Sequence, residues 1–190
     1  MANCLWQIDQ HWLNDDQSYL LLQALQQLEL TRPSVTVFGK QHLIPRQQAW
    51  LALVGCQYKY SGLLLDPTPF PKAIDGIRLK LNETFSTQLN ACLVNHYRNG
   101  TEHMGWHRDN EPEIVPNSDI FILSLGASRD LHIKHRQTQQ KWSLQLKSGS
   151  LLHMKKGMQN DYLHALPKRL KVLEPRFSLT FREIIPNFYE

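Results

Sequence analysis

The 190-residue chain has no stretch approaching the roughly 20 consecutive apolar residues of a membrane-spanning helix. Its first residues, "MANCLWQIDQHW", offer neither the basic segment nor the apolar run of a secretory signal, so an intracellular setting is expected. Cysteine is scarce. Cys4, Cys56 and Cys92 are odd in number, widely separated and form no CxxC pair, which fits reduced thiols better than a disulfide framework or a zinc ribbon. Repeats, low-complexity tracts and Gly/Ser linkers are absent, which removes the usual marks of a modular chain. A chain of this length buries about 70% of the surface its unfolded form exposes, so one domain over residues 1–190 is expected.

What is present supports a packed core: 42% hydrophobic residues, with 5 Trp, 6 Tyr and 7 Phe. The net charge of +4 is modest, but its cations gather in the C-terminal half. Lys134, Arg136 and Lys141 form one group, Lys155 and Lys156 a second, and Lys168, Arg169 and Lys171 a third. Each group alone reads as solvated surface sooner than as a phosphate contact, so charge supports an acidic partner only beside other signs.

Two helices are predicted in the first half. "DDQSYLLLQALQQLEL" offers Asp15 or Asp16 as N-cap before leucines at helical spacing, and "FPKAIDGIRLKLNETF" repeats the pattern at Ile74, Ile77, Leu81 and Phe85. Between them, "SVTVFGKQHLIPRQQAWLAL" and "YKYSGLLL" read as short strands and loops broken by Gly and Pro. From residue 91 onward short alternating segments take over: "ACLVNHY", "DIFILSLG", "DLHIKH", "WSLQLKSG", "SLLHMKK", "KVLE" and "RFSLTFREI". Such spacing predicts a sandwich or barrel, here an α+β chain with a jelly-roll core over about 91–186 and helices outside it.

"HMGWHRDNE" sets His107 and Asp109 two positions apart. An HxD by itself reads as a polar turn or exposed strand far sooner than as a metal pair; a third donor, His164 in "DYLHALP", changes that reading. Two imidazoles and one carboxylate with open positions form the facial triad suited to non-haem Fe(II) and oxygen. In "PRFSLTFRE", Arg176, Ser178, Thr180 and Arg182 share one strand face, opposite Phe177, Leu179 and Phe181. Inward arginines would need an acid to offset desolvation, and a small dicarboxylate would serve. An outward arginine row over a phenylalanine core is the alternative.

Together these motifs, with "VFGK", "IPRQQ", "YKYSG", "NHYRNG", "SLGASRDL" and "GSLLHM", resemble the AlkB family of Fe(II)- and 2-oxoglutarate-dependent dioxygenases, closest to its animal-type DNA-repair members. The resemblance implies a double-stranded β-helix (jelly roll) with flanking N-terminal helices and a nucleotide-recognition lid over about 1–90. It makes His107, Asp109 and His164 the iron ligands. Asn95, Tyr97, Arg176, Thr180 and Arg182 become the 2-oxoglutarate site, with Arg176 on the distal carboxylate and Ser178 standing where the family often has asparagine. Phe38, as an apolar finger, and Arg46, Gln48, Tyr58 and Glu111 face the substrate, Tyr58 sandwiching the damaged base against His107. The implied reaction uses Fe(II), O2 and 2-oxoglutarate to demethylate 1-methyladenine and 3-methylcytosine, with etheno adducts as further substrates. The expected partner is alkylated DNA, double- or single-stranded, with RNA as alternative, and the expected state is a monomer without membrane attachment. The short N-terminus reads as that of a bacterial cytoplasmic protein; a eukaryotic source would place it in the nucleus. Rival readings are an RNA or protein demethylase on the same scaffold, a non-catalytic nucleic-acid-binding jelly roll, and zinc hydrolysis.

Overall fold

The computed structural model describes residues 4–37, 39–60 and 62–190. In chain order the elements are β1 (Trp6–Asp9), α1 (Asp15–Gln26), β2 (Ser34–Val37), β3 (Lys40–Leu43), β4 (Gln47–Ala52), β5 (Tyr58–Tyr60), β6 (Leu63–Leu65), α2 (Lys72–Phe85), β7 (Ala91–Tyr97), β8 (Met104–His107), β9 (Ile120–Gly126), β10 (Arg129–His135), β11 (Lys141–Leu146), β12 (Leu151–Met154), α3 (Met158–Asp161), β13 (Tyr162–Leu166) and β14 (Arg176–Arg182).

Both predicted helices form, with corrected ends. Asn14, not Asp15 or Asp16, caps α1: its side chain accepts from the Gln17 amide at 2.9 Å while Gln17 Oε1 accepts from the Asn14 amide. This reciprocal capping box leaves Asp15 and Asp16 in the first turn, where carboxylates meet the positive end of the helix dipole. Ser18, Leu21 and Leu25 form its buried stripe, and α2 buries Ile74, Arg78 and Leu81. Ser86 ends α2 in the left-handed region at φ 53°, with its amide on the Asn82 carbonyl.

The strands close into the expected jelly roll. A six-stranded sheet, β1-β12-β9-β14-β7-β4, faces a four-stranded sheet, β11-β10-β13-β8, and every pairing within them is antiparallel. β14 is central in the larger sheet and buried on both faces. Phe177, Leu179 and Phe181 pack with Leu21, Leu25, Ile74 and Leu81 of the helices, so the opposite parity looks between the sheets. Truncating a residue such as Leu25, which is wholly buried, would cost about 2–5 kcal/mol. The arginine row therefore lies inside, and the outward alternative is excluded.

Three further corrections concern strands. "KVLE" is turn and coil, and β1 was not anticipated. β8 ends at His107, so Asp109, which the alternation of a strand through "HRD" would turn to the same side as His107, lies beyond the strand. β8 and β13, which carry the two histidines, are short and rich in site residues, so their periodicity is weak. The hairpins β2–β3 and β5–β6 stand apart from both sheets, over the mouth of the barrel where a lid was expected.

Candidate active site

Antiparallel pairing of β13 with β8 sets His164 directly across from His107. Asp109, two residues past the strand end, completes a group whose ligand atoms all lie within 4.8 Å of one another. His107 Nδ1 lies 2.8 Å from the Gly105 carbonyl; with the proton on Nδ1 it donates there, leaving Nε2 bare. Asp109 is held from two sides. Arg182 Nη2 donates to Oδ1 at 2.7 Å, and the Asp109 amide donates to Gln159 Oε1 at 3.0 Å.

These contacts set the protonation states. Burial pushes the Asp109 carboxyl up, but Arg182 and the two imidazoles outweigh it and hold the group below the usual carboxylate range. For His164, burial and the neighbouring His107 press the pKa down to about 3, so its ring is neutral and able to donate a lone pair.

Buried polar atoms without a partner show what the site fits. Among the described residues these include Asp109 Oδ2 and His164 Nδ1, then Arg176 Nε and Arg182 Nε and Nη1. A carboxylate oxygen left bare 3.8 Å from an imidazole nitrogen has the donor set for a divalent cation. Guanidinium hydrogens left bare in the same cavity suit an anion. Arg176 is 2% exposed, donates to the Ser124 hydroxyl at 2.7 Å, and burial lowers its pKa to about 10. An anionic partner would offset the cost of burying that cation.

That inner cavity is lined by Asn95, Tyr97, His107, Asp109, His164, Arg176, Ser178, Thr180 and Arg182 among others, so every residue expected at the iron and 2-oxoglutarate positions meets there. Within it Arg182 lies at the metal end, against Asp109, with its guanidinium carbon 5.0 Å from the Tyr58 ring centre.

A second cavity of about 490 Å³ opens beside it, bounded by Val35, His42, Arg46, Tyr58, His107, Glu111 and Arg182. That volume suits a small planar ligand. Tyr58 donates to Glu111 Oε1 at 2.7 Å, and the buried Glu111 Oε2 has no partner. Trp50 stacks on Tyr58 at 4.7 Å, leaving Tyr58 3% exposed, so Tyr58 is part of the wall and not a free-standing plate. Arg46 reaches inward, donating from Nε to Asn95 Oδ1 at 2.7 Å. Gln48 lines neither cavity; it is buried on β4 across from Asn95. Phe38 lies outside the described residues.

Sequence reasoning missed Gln159, Ser124, Trp50 and Glu113. The fully buried Glu113 accepts from the Lys59 amide at 2.5 Å and the Tyr189 hydroxyl at 2.9 Å, tying the β5–β6 hairpin to the C-terminal segment. No local pattern marks Gln159, Ser124 and Glu113, because their partners are distant in the chain, while Trp50 has the pattern of any apolar strand residue.

Comparison with known proteins agrees with this geometry. The description "2OG-Fe(II) oxygenase superfamily" matches residues 7–182. DNA oxidative demethylase ALKBH2 of Mus musculus is 41% identical over 161 residues, covering 80% of this chain and 67% of that protein. Its Homo sapiens counterpart is 40% identical over 159 residues, covering 80% and 61%. The chain thus spans about two thirds or less of these relatives' length. Among solved structures, OsALKBH1 superposes with a TM-score of 0.62 at 15% identity, covering 96% of this chain and 98% of that one. A Pseudomonas putida prolyl-4-hydroxylase gives 0.60 at 19% identity, covering 96% and 94%. These two likenesses show the fold alone. Among the described residues, no helix is long and apolar enough to cross a membrane.

Proposed function

The chain belongs to the 2OG-Fe(II) oxygenase superfamily, which brings Fe(II), 2-oxoglutarate and O2, and we propose that it is an oxidative demethylase of alkylated nucleobases in DNA. The observation that carries this reading is one continuous site. Unpartnered Asp109 Oδ2, beside two imidazoles, adjoins unpartnered guanidinium hydrogens on one side and a base-sized cavity with an unpartnered carboxylate oxygen on the other. The relatives named DNA oxidative demethylase support the substrate class.

His107, Asp109 and His164 would hold the iron, and Arg176 the distal carboxylate of 2-oxoglutarate, with Asn95, Tyr97, Thr180 and Arg182 around it. The bound group supplies oxidation of the N-alkyl carbon, yielding succinate, CO2 and, once the hydroxylated alkyl group leaves, formaldehyde. The chain positions, neutralises and excludes water. Arg182 keeps Asp109 ionised and fixes its orientation, while Tyr58 fixes Glu111. Glu111 Oε2 is an acceptor for the exocyclic amine that 1-methyladenine and 3-methylcytosine share, and its charge complements the cationic ring of either lesion. Trp50, Tyr58 and Leu93 wall the site against water. The whole chain acts as one catalytic domain, working as a monomer on DNA in a bacterial cytoplasm or a eukaryotic nucleus.

The test is anaerobic Fe(II) loading followed by turnover of oligonucleotides carrying 1-methyladenine or 3-methylcytosine, beside His107→Ala. Formaldehyde that requires 2-oxoglutarate and vanishes in the variant is the expected result. Succinate without formaldehyde on DNA, but with it on RNA, would move the substrate to RNA.

A further inference from the structure

β8 is the edge strand of the four-stranded sheet, and its last residue, His107, faces the cavities. Alternation along the strand turns the preceding residue, Trp106, to the outer face, where it is 40% exposed. His132 and Lys134 of β10 share that face, since they alternate with the buried Leu131 and Ile133. The Lys134 ammonium lies 4.8 Å from the Trp106 ring centre, and the His132 ring 6.3 Å from it. Asp130, on the same parity, is paired with Arg169 at 3.0 Å, so its charge is cancelled. Arg169 also reaches His132 Nε2 at 3.3 Å, which fixes that ring. Among the described residues Lys134 makes no ion pair. The face outside the metal triad therefore offers a partly exposed indole beside a lysine that no carboxylate neutralises among the described residues.

Resting on the nucleic-acid reading above, we propose that Trp106 is a stacking platform for an unpaired nucleobase flanking the target nucleotide, with Lys134 meeting the adjacent phosphate. The cavity of about 490 Å³ admits one base, and Met104, His107 and Arg108 of the β8 segment are among its lining. A nucleic-acid strand leaving it over β8, an edge strand among the described residues, would pass Trp106. An indole beside a cation is the pairing that holds single strands irrespective of sequence, the ring taking the base and the ammonium the phosphate. A protein partner would leave Lys134 in need of a carboxylate, whereas the nucleic-acid backbone supplies charge at every step.

The experiment uses a labelled single-stranded DNA 12-mer with one central 1-methyladenine, and the nucleoside 1-methyl-2′-deoxyadenosine, which has no flanking strand. Fluorescence anisotropy and formaldehyde release are measured for the intact protein, Trp106→Ala, Trp106→Phe and Lys134→Ala. Trp106→Ala is expected to weaken oligonucleotide binding and raise its KM about tenfold, with kcat and nucleoside turnover unchanged. Trp106→Phe should recover most of the loss, because a phenyl ring still stacks. Lys134→Ala should flatten the salt dependence of binding. Equal loss on oligonucleotide and nucleoside would reveal disturbance of His107 instead and overturn the inference, as would unchanged oligonucleotide affinity. If the unaltered protein binds the 12-mer but demethylates neither substrate, the demethylase reading itself falls. If Trp106→Ala then still weakens binding, the platform stands as a nucleic-acid contact.

Discussion

Arg182 donates to Asp109 at 2.7 Å with the side chains 3% and 2% exposed, so the carboxylate expected to bind iron has a full counter-charge before any ion arrives. An uncompensated buried carboxylate is strongly destabilising, whereas a paired one is close to neutral. Arg182→Met should therefore lower unfolding free energy by about 3–5 kcal/mol. Mn(II) should restore more stability to this variant than to the unaltered protein, because the ion supplies the missing charge. Thermal unfolding with and without Mn(II) checks this; equal shifts in both proteins would refute it.

Gln159 holds the Asp109 amide through its side-chain carbonyl. Gln159→Ala should weaken Co(II) affinity about tenfold, a size usual for residues that orient a ligand. Gln159→Glu keeps an acceptor and should lie between the two in titration calorimetry.

Tyr189 and Glu113 form a clamp behind the Tyr58–Lys59 wall of the larger cavity. The Tyr189 hydroxyl donates to Glu113, which also accepts from the Lys59 amide beside Tyr58. Tyr189→Phe should cost about 1 kcal/mol and raise KM for the alkylated oligonucleotide severalfold. Substrate-independent conversion of 2-oxoglutarate should not change, since nothing near Arg176 moves. A fall in that background rate would show that the clamp supports the whole site, not the hairpin alone.

His153 supplies a pH test away from the metal. Burial lowers its pKa below 6.5 and Asp119, 3.4 Å away, only partly offsets this. The unfolded chain then takes up the proton first as pH falls, so this contribution to stability is complete above about pH 6.5 and is lost below it. His96 is lowered by burial as well and acts in the same direction. The midpoint of urea unfolding should fall between pH 7.5 and 5.5, and His153→Asn should flatten the decline.

Much of the site was legible in the chain itself. His107, Asp109 and His164 were weak candidates by type and became a set through the family resemblance, while the parity of Arg176, Ser178, Thr180 and Arg182 is that of one strand face. The helical stripes of α1 and α2 were equally plain, because Leu21, Leu25, Ile74 and Leu81 recur at the local period. The elements that eluded this reading are those with little local signal. β8 has four residues and spends them on Met, Gly, Trp and His, and "KVLE" alternates without any strand to pair with.

The sequence by itself determined which donors the protein has and which faces of its long strands are apolar, since both follow from residue type and a period of two or 3.6. Only the tertiary structure decided who meets whom. Arg182 reaches Asp109 across 73 residues, His164 pairs opposite His107, and Gln159 and Glu113 acquire their tasks from strands and segments far along the chain. Such contacts form because closing two sheets on one core buries apolar surface and brings these polar groups together, a choice made by the whole chain and written in no local stretch of it.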